Sequence, residues 1–165
     1  MLRAHLARAN THWRDLSGIE ECLVVFQGPE NYVTPGWYPG KARDPRAVPT
    51  WNYASVQIRG RPCVREDAAW LARQLADLSR HHEQIRPQPW SIEDLPPDFL
   101  EAQLRAIVGI EIPIGRIDGK FKMSQNRQDE DRAGVIRGLR DANDPHHNDE
   151  VADVVERAAA QRPAR

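Results

Sequence analysis

Apolar and polar positions change period several times along the chain, and each change marks an element. Leu23-Val24-Val25-Phe26 is a short apolar run closed by Gly28-Pro29, the pattern of a buried strand. Ahead of it, Asn10 to Leu16 reads as one or two helical turns with Asn10 or Thr11 as the cap. Residues 28–50 hold four prolines after Pro29 and three glycines (Pro35, Pro39, Pro45, Pro49; Gly28, Gly36, Gly40), so they read as a long shaped loop. Tyr32, Trp37 and Tyr38 on that loop imply that it packs against something. Trp51 to Gly60 alternates as a strand, with Tyr53, Ser55, Gln57 and Arg59 on one side, and Gly60 turns it into a second strand through Pro62-Cys63-Val64. Asp67 caps the clearest helix, expected over 67–85, where Trp70, Leu71, Leu75, Leu78 and Ile85 follow helical spacing until Pro87.

A Pro-rich connection containing Trp90 leads to a helix from Pro97 to Ile107, with Pro in the first turn. Val108 to Ile114 alternates as a strand, and Asp118-Gly119 signals a hairpin into Lys120–Met123. Short helices are expected at Asp129–Leu139 and Asn148–Ala160. The division expected is a domain over 1–140 and a polar tail over 141–165, marginal or disordered. The strands number about five or six, few for a small closed barrel.

Composition narrows the function classes. The 165 residues suit one domain. Lys and Arg total 23 against 24 Asp and Glu, a net charge of -1 that gives no global pull toward nucleic acid or anionic lipid. Hydrophobic residues make up 40%, enough for a core, while a mean hydropathy of -0.68 leaves no run long enough to span a membrane. Cys22 and Cys63 have no metal or CxxC spacing. A cytoplasmic location is the expectation. His81-His82 and His146-His147 read as solvated, and no P-loop, GxSxG, GxGxxG or HExxH pattern is present, so catalysis by a nucleophile or metal has no support.

Three clusters remain. Arg8 and Asn10, with His5 beside them, fall where a strand runs into a helix, a setting for a phosphate or for an ordinary exposed Arg beside a cap. Trp51 and Asn52, in Val48-Pro49-Thr50-Trp51-Asn52-Tyr53, suit a planar heterocycle or a strand with core aromatics. Lys122-Met123-Ser124-Gln125-Asn126-Arg127 ends a strand in a run of donors, fit for a phosphate, a heterocycle edge or a simple polar turn.

The order of these blocks resembles a known family. HLARAN-x-x-WRDL, VVFQGP-x-x-Y-x-x-P-x-WYP-x-K, VPTWNYASV, LRAIVGIEIPI and GKFKMSQNR are similar to the PaiB family of FMN-binding negative transcriptional regulators, from about Leu2 to Leu139. The resemblance implies an α+β fold with a mainly β core, the FMN-binding split barrel, with the long helix packed on it and a flavin at the interface of a homodimer. It implies FMN as cofactor, with Arg8 at the phosphate and His5 and Asn10 nearby. Trp51, Asn52 and Ser55 then lie beside the ring, and Lys122, Ser124 and Gln125 also belong to the site. Family members carry a helix and barrel strands ahead of the first block, so the chain is expected to be an N-terminally truncated member with an incomplete barrel.

Three functions follow from the resemblance: an FMN-binding transcriptional repressor, a flavin-dependent oxidoreductase on the same barrel, or a remnant without ligand. No helix-turn-helix or basic stripe marks a DNA reader, so DNA as a partner rests on the family alone. Nothing identifies a proton donor for an oxidoreductase, and the regulator is the reading preferred.

Overall fold

The computed structural model describes residues 1–160. It divides into two compact units, Met1–Val24 with Ile58–Ile117 and Val25–Gln57 with Asp118–Arg165. The fold is mixed α+β with two separate antiparallel sheets, and the described residues form no closed barrel.

The first unit is built around β5 (Ile107–Ile112), which β1 (Leu2–Ala7) and β4 (Cys63–Arg65) flank. Leu2 stands opposite Ile112 and Ala7 opposite Ile107, while Val64 stands opposite Ile110. Every position of β5 after the first is buried, the signature of a central strand covered on both faces. The cover is α2 (Ala68–Glu83), started by Asp67, whose carboxylate accepts a 2.7 Å bond from the Trp70 N–H. Trp70 lies so close over β5 that a Cβ on Gly109 would come within 2.2 Å of its ring, and only glycine admits that approach. Leu71 is buried, but Leu78 is 41% exposed and Ile85 lies beyond the helix, so the buried stripe is shorter than the spacing predicts. Gln74 is buried instead, its Oε1 3.0 Å from Nδ1 of His5. A short α1 (His12–Leu16) and α3 (Pro97–Arg105) complete this unit.

The second sheet has the order β2-β3-β6, from β2 (Cys22–Val33), β3 (Thr50–Gly60) and β6 (Arg116–Lys122). Here β2 departs from expectation, running straight through Gly28-Pro29. Because β2 is an edge strand, Pro29 can occupy it without breaking the sheet, and Gly28 lets Ala54 of β3 approach to 3.2 Å from where a Cβ would stand. The loop expected over 28–50 therefore begins only after Val33 and makes two 3-10 turns, Pro35–Trp37 and Pro39–Ala42. Asp118-Gly119 is likewise inside β6 and not at a hairpin, and β5 and β6 belong to different sheets.

Two helices close the second unit, α4 (Asp129–Arg140) and α5 (Asp149–Ala160). The tail expected to be marginal thus contains a packed helix: Val151, Ala152 and Val155 are fully buried with Val33, Met123, Val135 and Leu139. Asn148 caps α5 through a 3.0 Å bond from the Val151 N–H, and Arg140 ties the helices together at 2.8 Å from both Asp153 and Glu156. Trp37 wedges against α4, where a Cβ on Gly138 would meet its indole at 2.3 Å. Residues 161–165, the end of the expected tail, lie outside the described residues. Among the described residues, no helix is long and apolar enough to cross a membrane.

Candidate functional site

The candidates near the start of the chain sit in the first unit and are engaged within it. Arg8 leaves β1 just where the strand ends and spreads its guanidinium over three acceptors. Nη1 bonds Glu66 at 2.6 Å, Nε bonds the Arg105 carbonyl at 2.9 Å and Nη2 the Ile107 carbonyl at 3.1 Å. Asn10 accepts from the His12 N–H at 3.1 Å in a local turn just ahead of α1, whose cap position is Thr11, and His5 is held by Gln74.

The remaining candidates lie on the second sheet or at its exit. The Asn52 side chain is fully buried and meets Ser124, its Nδ2 3.0 Å from the hydroxyl and its Oδ1 3.1 Å from the same oxygen. Ser124 has a left-handed backbone, φ 59°, the only such non-glycine residue described. Gln125 secures the same turn, accepting from the Met123 N–H at 2.6 Å and donating to the Phe121 carbonyl at 2.9 Å. The Lys122 ammonium bonds the Thr50 hydroxyl. These residues form one knot that joins the start of β3 to the end of β6. Trp51 is half exposed and meets Tyr32 edge-on, ring centres 6.2 Å apart.

Ser55 opens onto two clefts. Strand alternation sets Tyr53, Ser55 and Gln57 along one face, where Asp118 and Lys120 join them in a polar groove. The second groove, about 400 Å³, crosses all three strands and is lined by Phe26, Gly28, Ala54, Ser55, Val56, Gly119 and Phe121 among others. Its walls are mainly apolar, and Phe26 and Phe121 are each 49% exposed. A Cβ at Gly119 would meet nothing within 4 Å, so the groove is open there, while Ala54 fills the space beside Gly28. Sequence reading missed these walls because exposed phenylalanines on a strand look like core residues until the sheet shows which face is uncovered.

A third cleft of about 340 Å³ lies beside the start of α4, lined by Tyr38, Lys41, Arg43, Asp44, Arg46, Arg127 and Asp131 among others. Tyr38 is 4% exposed, and burial raises its phenol pKa above the ordinary value while the Arg127 charge draws it partly back. The Arg127 guanidinium rests over the Tyr38 ring, 4.5 Å from its centre. Of these residues, Arg127 stood in one of the three candidate clusters, while Tyr38 and Lys41 stood in the WYP-x-K block. Among the described residues, no group of His, Cys, Asp and Glu could hold a metal ion.

Comparison with known proteins fixes the family. Residues 1–116 match the family model described as "Putative FMN-binding domain". Over 145 residues the chain is 34% identical to the protease synthase and sporulation protein PAI 2 of Bacillus subtilis, covering 88% of this chain and 67% of that one. A protein of Aspergillus fumigatus is 40% identical over 148 residues, covering 80% of this chain and 57% of its own. The chain belongs to this FMN-binding domain family and, within it, to the PaiB family. It spans roughly half to two thirds of the length of the curated relatives it matches. Among solved structures, the flavocytochrome Anf3 of Azotobacter vinelandii superposes with a TM-score of 0.46 at 14% identity, over 79% of this chain and 55% of that one. That likeness is too loose to carry an argument.

Proposed function

We propose that this chain is the flavin-binding part of a PaiB-type transcriptional repressor, taking FMN non-covalently and acting as a homodimer in the cytoplasm. Family membership supports the ligand, and one observation on this chain supports a place for its ring: the apolar groove across β2, β3 and β6. A flat tricyclic ring needs a slot with apolar walls and a few polar atoms at its edge. Phe26 and Phe121 supply the walls, the open position at Gly119 leaves room for the ring, and the Ser55 hydroxyl supplies an edge contact. Bound flavin supplies a redox-active ring, which a regulator reads as a change in its own charge and shape. DNA binding comes from the family likeness alone.

Arg8 remains the residue that the likeness assigns to the phosphate. Because Glu66 already holds its Nη1, a phosphate there replaces one anion by another. The test titrates FMN and riboflavin into wild type, Phe121→Ala and Arg8→Ala, following flavin fluorescence. Phe121→Ala should weaken both ligands alike, by roughly three- to tenfold for a lost aromatic contact. Arg8→Ala should weaken FMN by roughly ten- to a hundredfold and spare riboflavin. Equal losses from Arg8→Ala would move the phosphate elsewhere, and no binding of either flavin would end the reading.

A further inference from the structure

We propose that the open edge of β1, with the groove between it and α2, takes an extended acidic segment of a partner polypeptide as an added strand. In the order β1-β5-β4, β1 is an edge, and its register with β5 is unbroken from Leu2 to Ala7. The Arg8 N–H bonds the Ala106 carbonyl at 2.7 Å, which continues that register and fixes its phase. Inward- and outward-facing residues alternate along an antiparallel strand. Leu2, Ala4 and Leu6 therefore bond β5, while Arg3 and His5 turn their N–H and C=O groups to the open side. The edges of the two sheets are not alike. β4 has three residues, β2 carries Pro29, and β6 is charged at Arg116, Asp118, Lys120 and Lys122. Short length, proline and charge each deter a further strand. β1 has six residues, no proline and no bulge, and its Arg3 guanidinium is tied back onto Asp77 at 2.9 Å.

The groove beside this edge points to what the added strand carries. It measures about 400 Å³ and is lined by Arg3, Gln74, Asp77, Leu78 and His81 among others. Arg3 and His5 reach α2 from one face of β1, through Asp77 and Gln74. Residues paired opposite them on an added strand send their side chains to that same face. Gln74 is 4% exposed. Its Oε1 is held by Nδ1 of His5, but among the described residues its amide nitrogen has no partner, and it is not sealed from solvent. A buried donor that lines a groove asks for an acceptor in it. Asp77, the one carboxylate lining the groove among the described residues, is shared by Arg3 at 2.9 Å and Arg80 at 3.3 Å, which leaves a cation in excess. An acidic side chain on the incoming strand answers both the amide and the charge. Half-exposed Leu78 offers its neighbour an apolar seat. Main-chain bonds to Arg3 and His5 then supply affinity, and the side-chain contacts supply selection, as in strand addition generally.

This inference is independent of the flavin reading, since the edge and its groove lie in the first unit and the apolar groove in the second. The probe is a fluorescent peptide alternating valine and glutamate over about eight residues, titrated into the full chain and followed by anisotropy. Its companions are the same peptide with lysine for glutamate, and two versions N-methylated on alternate amides, one in each phase. Wild type should bind the acidic peptide saturably and the lysine peptide roughly tenfold more weakly. One methylated phase should lose binding and the other keep it, because only alternate amides meet β1. Arg3→Pro removes an outward N–H and leaves the ladder to β5 intact. It should weaken the acidic peptide roughly tenfold beyond Arg3→Ala, which loses the side chain alone. Exchange of the His5 N–H, read by NMR, should slow about tenfold or more with peptide bound. The methylated peptides and the exchange need no variant, so they decide even where Arg3→Pro does not fold. No saturable binding, equal affinity for the lysine peptide or for both methylated phases, or a His5 N–H left unprotected would each overturn the proposal. A self-associated chain that Arg3→Pro turns monomeric would give the edge to a second copy, and that too would overturn it.

Discussion

Replacing Asn52 by Ala should destabilise the second unit far more than its polar character suggests. The side chain is fully buried, and its amide is bonded twice to the Ser124 hydroxyl, at 3.0 and 3.1 Å. Each such bond contributes a net of about 0.5–1.5 kcal/mol, so the pair is worth about 1–3 kcal/mol. Truncation also leaves a cavity with no solvent path, adding about 1 kcal/mol. The sum, about 2–4 kcal/mol, corresponds to a fall of roughly 1–2 M in the urea midpoint at a slope of about 2 kcal/mol/M. Ser124→Ala should cost about 1–3 kcal/mol for the same lost bonds. The double variant decides the matter, because the two residues share one interaction. It should be at most about 1 kcal/mol worse than Asn52→Ala alone, a coupling within the usual range for residues in contact. Additive losses would refute the pairing, as would an Asn52→Ala loss below about 0.5 kcal/mol, the scale of an ordinary surface change.

Leu71→Ala should cost about 2–5 kcal/mol and Leu78→Ala less than about 1 kcal/mol, since only the first is buried under α2; urea titration of both checks it. Tyr38, whose phenol is raised by burial, keeps its proton in the folded chain to a higher pH than in the unfolded one. The unfolded state therefore ionises first, and stability should fall as pH climbs past about 10, the ordinary tyrosine value. Subtracting the Tyr38→Phe stability curve isolates that loss, and a flat difference would count against the buried phenol. Sedimentation at micromolar concentration should show a species near twice 18.8 kDa, with a folded monomer as the contrary result.

Where local chemistry decides, the chain was readable. Asp67 before α2, Pro97 at the start of α3 and the spacing through α4 each act within a turn or two, and the helices begin where those residues place them. Pro29 and Asp118-Gly119 misled, because a sequence cannot say whether a strand lies at a sheet edge, where proline is harmless, or whether an Asp-Gly pair sits in a turn. The polar look of 141–160 concealed α5, whose buried face rests on two valines and two alanines and depends on partners distant in sequence. At the sites, the blocks around Asn52 and Ser124 were visible as polar residues in unusual places, but the residue types left ligand contact and mutual contact equally open. Tyr38 was legible as an aromatic that packs, but its partner Arg127 was not, because only folding brings the Pro39–Ala42 turn to the start of α4.

The core of the second unit collects Val33 and Tyr38 from early in the chain, Met123, Val135 and Leu139 from much later, and Val151 and Val155 from α5. Such a core has no local draft. While the chain is being made, β2 and β3 emerge with their apolar faces uncovered and must wait for partners that follow the entire Ile58–Ile117 stretch. The first unit, by contrast, has all of its strands once β5 emerges, because both partners of β5, β1 and β4, precede it. The order of assembly is therefore written into the connectivity: the first unit can settle once Ile117 has emerged, and the two parts of the second meet last. During that interval the exposed strands invite association with other chains, which makes the closing of α5 the step that ends the hazard.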